Sequence, residues 1–346
     1  MPLPPATLSQ IDDLVRCHLD EQRIPAASVA IVQDQEPLLV KGYGLADLEN
    51  QIPATEHTSF QIASLTKQFT SMLILTLAHE ERLHLDDAII KWFPEGGDKW
   101  SMISIRHLMA HLSGISDEPM NDLDDQIDFT EDEFVTAIGS APLLWSPGTK
   151  WDYCNSGYAL LGILIHRITG KPWYEAMRER IFEPLGMKDA RVIDERPDPS
   201  RAVGYEMTDG AMHPEEWIAP NHNTTADGGL LMSAEDFVAW STALGSDALL
   251  PPKEVQRMWE PVRFRDGRPA GTSELRFGLG WMLPNEPALP RMAQHKGAWQ
   301  GFSTYIARLL DSKTTVVVLT NLDDDFSHPD VIGREILTMI NMSNLH

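Results

Sequence analysis

The chain has 346 residues and a net charge of −23, with 42% hydrophobic and 23% charged residues. That composition belongs to a globular protein long enough for two domains or one large one, with a sizeable core and room for a cleft. The acidic excess, with no long basic run, excludes nucleic acid and anionic membrane surfaces as expected partners, because both need a basic patch.

Residues 7–22 place Ile11, Leu14, Val15 and Leu19 at helical spacing. The same N-terminal stretch lacks the basic and apolar regions of a secretory signal, and no apolar run approaches the length of a membrane span. Only Cys17 and Cys154 are present, far apart, so no disulfide framework is expected. Together these features predict a cytoplasmic protein. Residues 28–44 read as two β-runs around a polar turn, a hairpin. From Ser59 to about Gly271 the pattern is mostly helix and loop, with helices at 70–83, 104–112, 156–170 and 173–185. Residues 117–133 hold nine carboxylates and no Lys or Arg, which reads as a solvated loop or helix face, since the ordered spacing of a calcium loop is missing. Strand-like runs return at 276–282, 294–310 and 314–321, and a helix at 329–341 closes the chain.

Strands at both ends and helices between them predict an α+β fold. One antiparallel β-sheet, flanked by helices, is built from residues 1–58 and 272–346, with a mostly helical region, 59–271, inserted in it. The active site is expected in the cleft between the two parts.

At the mouth of the most apolar helix stands Ser64-Leu65-Thr66-Lys67, the chain's single Ser-x-x-Lys. A chain of this length holds on the order of one or two such matches by chance, and a serine before an apolar helical run is ordinarily an N-cap. The alternative is chemical. Residues i and i+3 share a helix face, so the Lys67 amine can reach the Ser64 hydroxyl, and a serine nucleophile needs a neighbouring base. The helix start also offers a backbone N–H to a developing oxyanion.

Two further elements weigh on this choice. Tyr153-Cys154-Asn155 is the only Tyr-x-Asn among the six tyrosines, and His295-Lys296-Gly297 opens a strand-like run near the end. Ser-x-x-Lys, Tyr-x-Asn and a basic residue–x–Gly, in that order, resemble the serine β-lactamase and penicillin-binding-protein superfamily. The Tyr-x-Asn element points to its class C β-lactamase-like branch, which includes family VIII esterases and D-aminopeptidases. The resemblance covers roughly residues 25–325, through "IRHLMAHLSGI", "SPGTKWDYCNSGYALLGILIHRITG", "GGLLMSAEDF" and "FGLGW". Leu112 stands where that branch usually has Thr.

The resemblance implies a serine hydrolase cleaving a small ester or amide, without metal or organic cofactor. Ser64 would form the acyl-enzyme, Lys67 would assist its deprotonation and Tyr153 would exchange protons with the reacting groups. Backbone N–H groups of Ser64 and Ala298 would form the oxyanion hole. Asn155, His295 and Gly297 would bind substrate, with Gly297 letting the substrate approach the strand closely. Trp299 and Trp151 are candidates for lining the acyl pocket. Cys154 reads as packing rather than as a second nucleophile, and His107 and His111, though spaced i, i+4, lack the further ligands of a zinc site.

His295 is the main departure, because β-lactamases and penicillin-binding enzymes usually carry lysine there. A histidine mostly neutral above pH 7 predicts weak, pH-dependent recognition of substrate carboxylates, while Lys296, next along the strand, points to the opposite face. Esterase-like activity is therefore expected ahead of β-lactamase activity. An aminopeptidase or amidase for D-amino acids is the alternative within this class, with Asp227 a contact for a substrate ammonium. A penicillin sensor that acylates without turnover is the alternative outside it.

Overall fold

The segment Thr314–Thr320, TTVVVLT, is apolar without interruption along its centre, the pattern of a strand buried on both faces. The computed structural model describes residues 3–122, 129–193, 198, 200–215, 225–285 and 290–343. The early chain supplies β1 (Ala26–Gln33), β2 (Glu36–Asp47) and β3 (Ile52–Pro53). Its middle supplies β4 (Phe60–Gln61), β5 (Arg191–Val192), β6 (Tyr205–Thr208), β7 (Ala211–Pro214) and β8 (Leu230–Met232). The remainder are β9 (Leu275–Phe277), β10 (Met282–Pro284), β11 (Met292–Trp299), β12 (Phe302–Leu309) and β13 (Thr314–Thr320).

Eight of these form one sheet in the order β3-β2-β1-β13-β12-β11-β10-β9, antiparallel at every pairing. The first and last parts of the chain thus meet at the β1–β13 pair. The helices are α1 (Pro5–Gln22), α2 (Thr66–His79), α3 (Ile105–Met109), α4 (Glu118–Asn121), α5 (Glu131–Ser140), α6 (Asn155–Thr169), α7 (Trp173–Met177), α8 (Glu183–Leu185), α9 (Ala234–Ala243), α10 (Pro252–Gln256) and α11 (Pro329–Ser343).

The period of two in the central strands divides the core. Val29, Ile31, Val316 and Val318 pack with Ile11 and Val15 of α1 and Ile332 and Ile336 of α11. Ala30, Ile306, Val317 and Leu319 belong to the other core, with Phe69, Met72 and Leu160 of α2 and α6. Every residue of α2 from Thr66 to Leu77 is buried, and full burial of a side chain such as Phe69 stabilises the fold by roughly 1.5–3 kcal/mol. This helix is held from all sides, which fixes whatever stands at its start.

Two strand-like runs each split in two. Residues 276–282 break at Gly280, whose φ of 76° and closeness to the Lys67 carbonyl separate β9 from β10. Residues 294–310 turn at Gln300 and Gly301, with φ of 47° and 74°, the pair of positive angles that closes a tight hairpin. The region 59–271 also contains strands the sequence reading treats as helix and loop: a three-stranded sheet, β4-β8-β5, and the hairpin β6-β7. Two to four residues are too few to show an alternating pattern.

Candidate active site

Ser64 lies in a single 3₁₀ turn, Ala63–Leu65, that leads into α2. Between Thr58 and Leu77 it is the one residue that is not buried. The turn carries a left-handed residue, Ala63 at φ 47°, an unusual conformation outside glycine. It rests on β11 and β12, with the Thr304 hydroxyl donating to the Ile62 carbonyl at 3.0 Å. A Cβ at Gly297 would come within 2.4 Å of both the Ile62 oxygen and Thr304 Oγ1. Gly297 is therefore required by the packing of the serine's own turn against the strand, a reason separate from the room for substrate expected of it.

Helix α2 takes Leu65 as its N-cap and receives no side-chain cap, so Ser64 is not a capping residue. Its Oγ accepts instead from Lys67 Nζ at 3.1 Å. Lys67 is fully buried. Its ammonium also donates to Asn155 Oδ1 at 2.8 Å and to the Asp227 carbonyl at 2.8 Å, so all three of its N–H donors are committed. Positions far apart in the chain meet on one nitrogen.

Asn155 is placed by the start of α6. Asp117 accepts from the backbone N–H groups of Asn155 and Ser156, each at 2.8 Å, through separate carboxylate oxygens. A carboxylate at a helix N-terminus answers both its orphan donors and its dipole. The Cys154 thiol donates to the same carboxylate at 3.3 Å, and burial pushes that thiol well above its usual range. Cys154 is thus a packed, hydrogen-bonded thiol.

Tyr153 is half-buried and lies face to face with His111, ring centroids 4.4 Å apart. Lys67 Nζ stands 4.9 Å from the Tyr153 ring centroid. Among the described residues no hydrogen bond joins the Tyr153 hydroxyl to Ser64 or Lys67. His111 Nδ1 accepts from the Cys154 N–H at 3.0 Å, which leaves its proton on Nε2. Burial, followed by the charge of Lys67, holds its pKa well below the ordinary value. His107 has a different local duty, accepting from the Ser104 N–H through Nδ1 at 3.2 Å in the cap of α3.

On the facing wall, β11 pairs with β12 along its whole length but with β10 only at Gln294. From His295 to Trp299 one edge of the strand is therefore open, its alternate backbone groups facing away from β12. His295 is buried, and burial with the Lys67 charge brings its pKa down to about 4. Its Nδ1 lies 2.6 Å from the Lys296 carbonyl, which can only accept, so Nδ1 carries the proton. With the ring neutral in the physiological range, recognition of a substrate carboxylate at this position is not expected to change with pH. Lys296 points to the opposite face, where it pairs with Asp330 at 3.0 Å.

Between the walls lies a cavity of about 360 Å³ lined by Ser64, Asn155, Asp227, Gly228, Ala298 and Trp299, with Ala63, Met120 and Asn121 completing it. Trp151 stacks on Phe277 instead, ring centroids 3.9 Å apart. Asp117, His111, Met120 and Asn121 are functional neighbours that the sequence reading does not single out for this site. Only His111 carried a local signal, in the segment "HLSGI".

The β-lactamase family model matches residues 11–337. The chain belongs to the β-lactamase family. It has the serine-hydrolase-type α+β fold that β-lactamases share with penicillin-binding proteins. Among relatives of this β-lactamase-family chain, Protein flp of Staphylococcus aureus (strain MW2) is 30% identical over 334 residues, covering 92% of this chain and 64% of the relative. Penicillin-binding protein 4* of Bacillus subtilis (strain 168) is 27% identical over 310 residues, covering 84% and 66%. The chain thus spans about two thirds of the length of these relatives. The D-amino acid amidase of Ochrobactrum anthropi SV3, solved with L-phenylalanine amide, superposes with a TM-score of 0.80 at 25% identity, covering 97% of this chain and 99% of that one. An octameric penicillin-binding protein homologue from Pyrococcus abyssi shares the fold, with a TM-score of 0.81 at 24% identity, covering 98% and 77%.

The similarity to a penicillin-binding protein, a type found outside the cytoplasm, overturns the cytoplasmic expectation. That expectation rested on the first residues, on the lack of an apolar run long enough to span a membrane and on having only two cysteines. Among the described residues no helix is long and apolar enough to cross a membrane.

Proposed function

We propose that this protein is a serine hydrolase that cleaves a small ester or amide through an acyl-enzyme on Ser64. The observation that carries this reading is the Ser64–Lys67 contact of 3.1 Å at the one accessible point of a buried helix start. The Lys67 ammonium donates to the serine oxygen, so it stabilises an alkoxide there. Tyr153, beside Lys67 and entering the step as the phenolate, receives the serine proton as Oγ attacks the substrate carbonyl. The tetrahedral oxyanion is held by the backbone N–H groups of Ser64 and Ala298, both on the cavity wall. As the intermediate collapses, Tyr153 returns the proton to the departing alcohol or amine. Water then attacks the acyl-enzyme, passing its proton by the same route and releasing the acid. Asn155 holds Lys67 in position and faces the substrate. The division of labour puts residues 59–271 and the terminal sheet on opposite sides of the reacting carbonyl.

Ester-like chemistry is favoured over β-lactam hydrolysis because the strand wall offers no fixed cation for a substrate carboxylate: His295 is neutral and Lys296 faces Asp330. The test is p-nitrophenol release from acetyl and butyryl esters by wild type, Ser64→Ala and Tyr153→Phe, with ampicillin run alongside. The expected result is ester turnover lost in both variants, and an acyl mass adduct trapped on wild type alone. Turnover surviving Ser64→Ala would remove the reading.

A further inference from the structure

Tyr153 stands in a stretch, residues 151–154, that is neither helix nor strand. The backbone N–H groups of such a stretch need partners from elsewhere in the chain, and one residue supplies two of them. The His111 carbonyl accepts from the Asp152 N–H at 3.1 Å, and His111 Nδ1 accepts from the Cys154 N–H at 3.0 Å. Between these two contacts the imidazole lies face to face with the Tyr153 ring, centroids 4.4 Å apart and planes 23° apart. His111 thus grips the residue before Tyr153, the residue after it and the phenol ring itself.

The fold alone does not require histidine at this position. His111 follows Ala110, the C-cap of α3, and has a left-handed φ of 59°. Its N–H donates to the Leu108 carbonyl at 3.3 Å, and the Leu112 N–H donates to the His107 carbonyl at 2.8 Å. That pair of bonds marks a helix end at which glycine, or asparagine, ordinarily takes the left-handed place. A buried imidazole there carries a backbone cost that glycine would avoid. The ring also packs against Tyr158, centroids 5.3 Å apart, whose hydroxyl donates to the Met109 carbonyl at 2.6 Å. The clamp is itself anchored to α3 and α6. Burial keeps the imidazole neutral, so its influence on Tyr153 is one of placement rather than of charge.

We propose that His111 is a positioning residue for the proton carrier, holding the Tyr153 hydroxyl where it serves both Ser64 and the departing group. The proposal rests on the Ser64 acyl-enzyme reading and adds a residue to it.

The test uses leaving groups. Ethyl butyrate and p-nitrophenyl butyrate form the same acyl-enzyme, but p-nitrophenoxide departs without a proton, whereas the ethanol oxygen needs one returned to it. A misplaced Tyr153 therefore lowers kcat/KM more for the ethyl ester, while a smaller folded fraction lowers both equally. In His111→Ala the ethyl-to-nitrophenyl ratio of kcat/KM is expected to fall roughly tenfold, a part of the roughly 10²–10⁴-fold that a placed proton carrier contributes. His111→Asn suits the left-handed backbone and keeps a side-chain acceptor, so it covers an alanine variant that does not fold. Lacking the stacked ring, it should lower the ratio by roughly threefold. A ratio at the wild-type value in His111→Ala overturns the proposal, as does one in His111→Asn should the alanine variant not fold. Tyr153→Phe separates this outcome from failure of the reading beneath it. Ethyl butyrate turnover that survives Tyr153→Phe at the wild-type rate removes Tyr153 as the proton carrier. Turnover lost there, with the ratio unmoved in the folded His111 variant, removes His111 alone.

Discussion

The two walls of the cavity are built on different principles. On the helical wall, Lys67, Ser64, Asn155 and the Asp227 carbonyl close on one another through side chains, with every donor of the lysine assigned. On the strand wall, His295, Gly297 and Ala298 contribute a neutral ring, a missing side chain and an open backbone edge. Chemistry on the first wall depends on which residue is present. On the second it depends on where the backbone runs. Substitutions should separate accordingly, those on the helical wall changing rate and those on the strand wall changing geometry and stability.

The largest effect is expected at Lys67. Lys67→Ala removes the donor to Ser64 and also leaves Asn155 Oδ1 and the Asp227 carbonyl without theirs. Ester hydrolysis should fall by roughly 10²–10⁴-fold, with a smaller loss of thermal stability from the two orphaned acceptors. Steady-state rates and a melting curve measure both. A variant that keeps more than about a tenth of the wild-type rate would mean that the helical wall is structural and the comparison fails.

Next is the strand wall's own break-point. Gly297→Ala drives a methyl group into the Ile62 carbonyl and the Thr304 hydroxyl, and the carbonyl belongs to the backbone that carries Ser64. Overpacking of this kind costs roughly 1–3 kcal/mol, and the displaced turn should lower kcat as well. Denaturant unfolding alongside kinetics would check it. Were stability unchanged while KM alone rose, the glycine would be making room for substrate after all.

A smaller loss is expected at Asp117→Ala, which uncaps α6 and frees the N–H groups of Asn155 and Ser156. Loss of such a cap costs about 0.5–2 kcal/mol, and a frayed first turn should loosen Asn155 from Lys67. If Asp117→Asn restores stability without activity, the carboxylate has a role beyond capping.

These residues also mark what was legible beforehand. The local pattern left Ser64 and Lys67 open between a helix cap and a catalytic pair; the ordered resemblance of Ser-x-x-Lys, Tyr-x-Asn and His-x-Gly to a known superfamily singled them out together with Tyr153 and Asn155. The two-ended sheet was legible because continuous apolar runs need cover on both faces. Asp117 was not, because its partners lie 38 and 39 residues away and a cap delivered from another loop leaves no local pattern. The acidic stretch that begins with it reads as a solvated face, and its middle lies outside the described residues. His111 was visible as a residue, but its stacking on Tyr153 depends on how α3 and α6 pack. Gly297 was legible as a glycine with a reason, but its packing against the serine's turn was not, because a sequence does not say which neighbour approaches a strand.

The smallest expected effect is a flat line. His295 is held neutral down to about pH 4, so protonation should add no carboxylate affinity between pH 8 and pH 5.5. The rates on p-nitrophenyl hemisuccinate and p-nitrophenyl butyrate, taken as a ratio, isolate that affinity. Asp227 complicates the reading, because its carboxylate titrates near 6 and its protonation removes a repulsion from hemisuccinate as pH falls. Measured in Asp227→Asn, the ratio should stay constant within about twofold, whereas a histidine with the ordinary pKa of about 6.5 would raise it several-fold over the same range. The stability sign follows from the same depression. The unfolded chain takes a proton on His295 below about 6.5 and the native one only near 4, so the stabilisation this ring contributes is complete above about 6.5 and is lost progressively as pH falls toward 4. Asp227 runs the other way, its raised pKa making the native state lose stability as pH climbs from about 4 to 6. Asp227→Asn should therefore gain stability above pH 6 and little below pH 4, and a pH series of melting curves on the two proteins would expose the opposed contributions of the two walls.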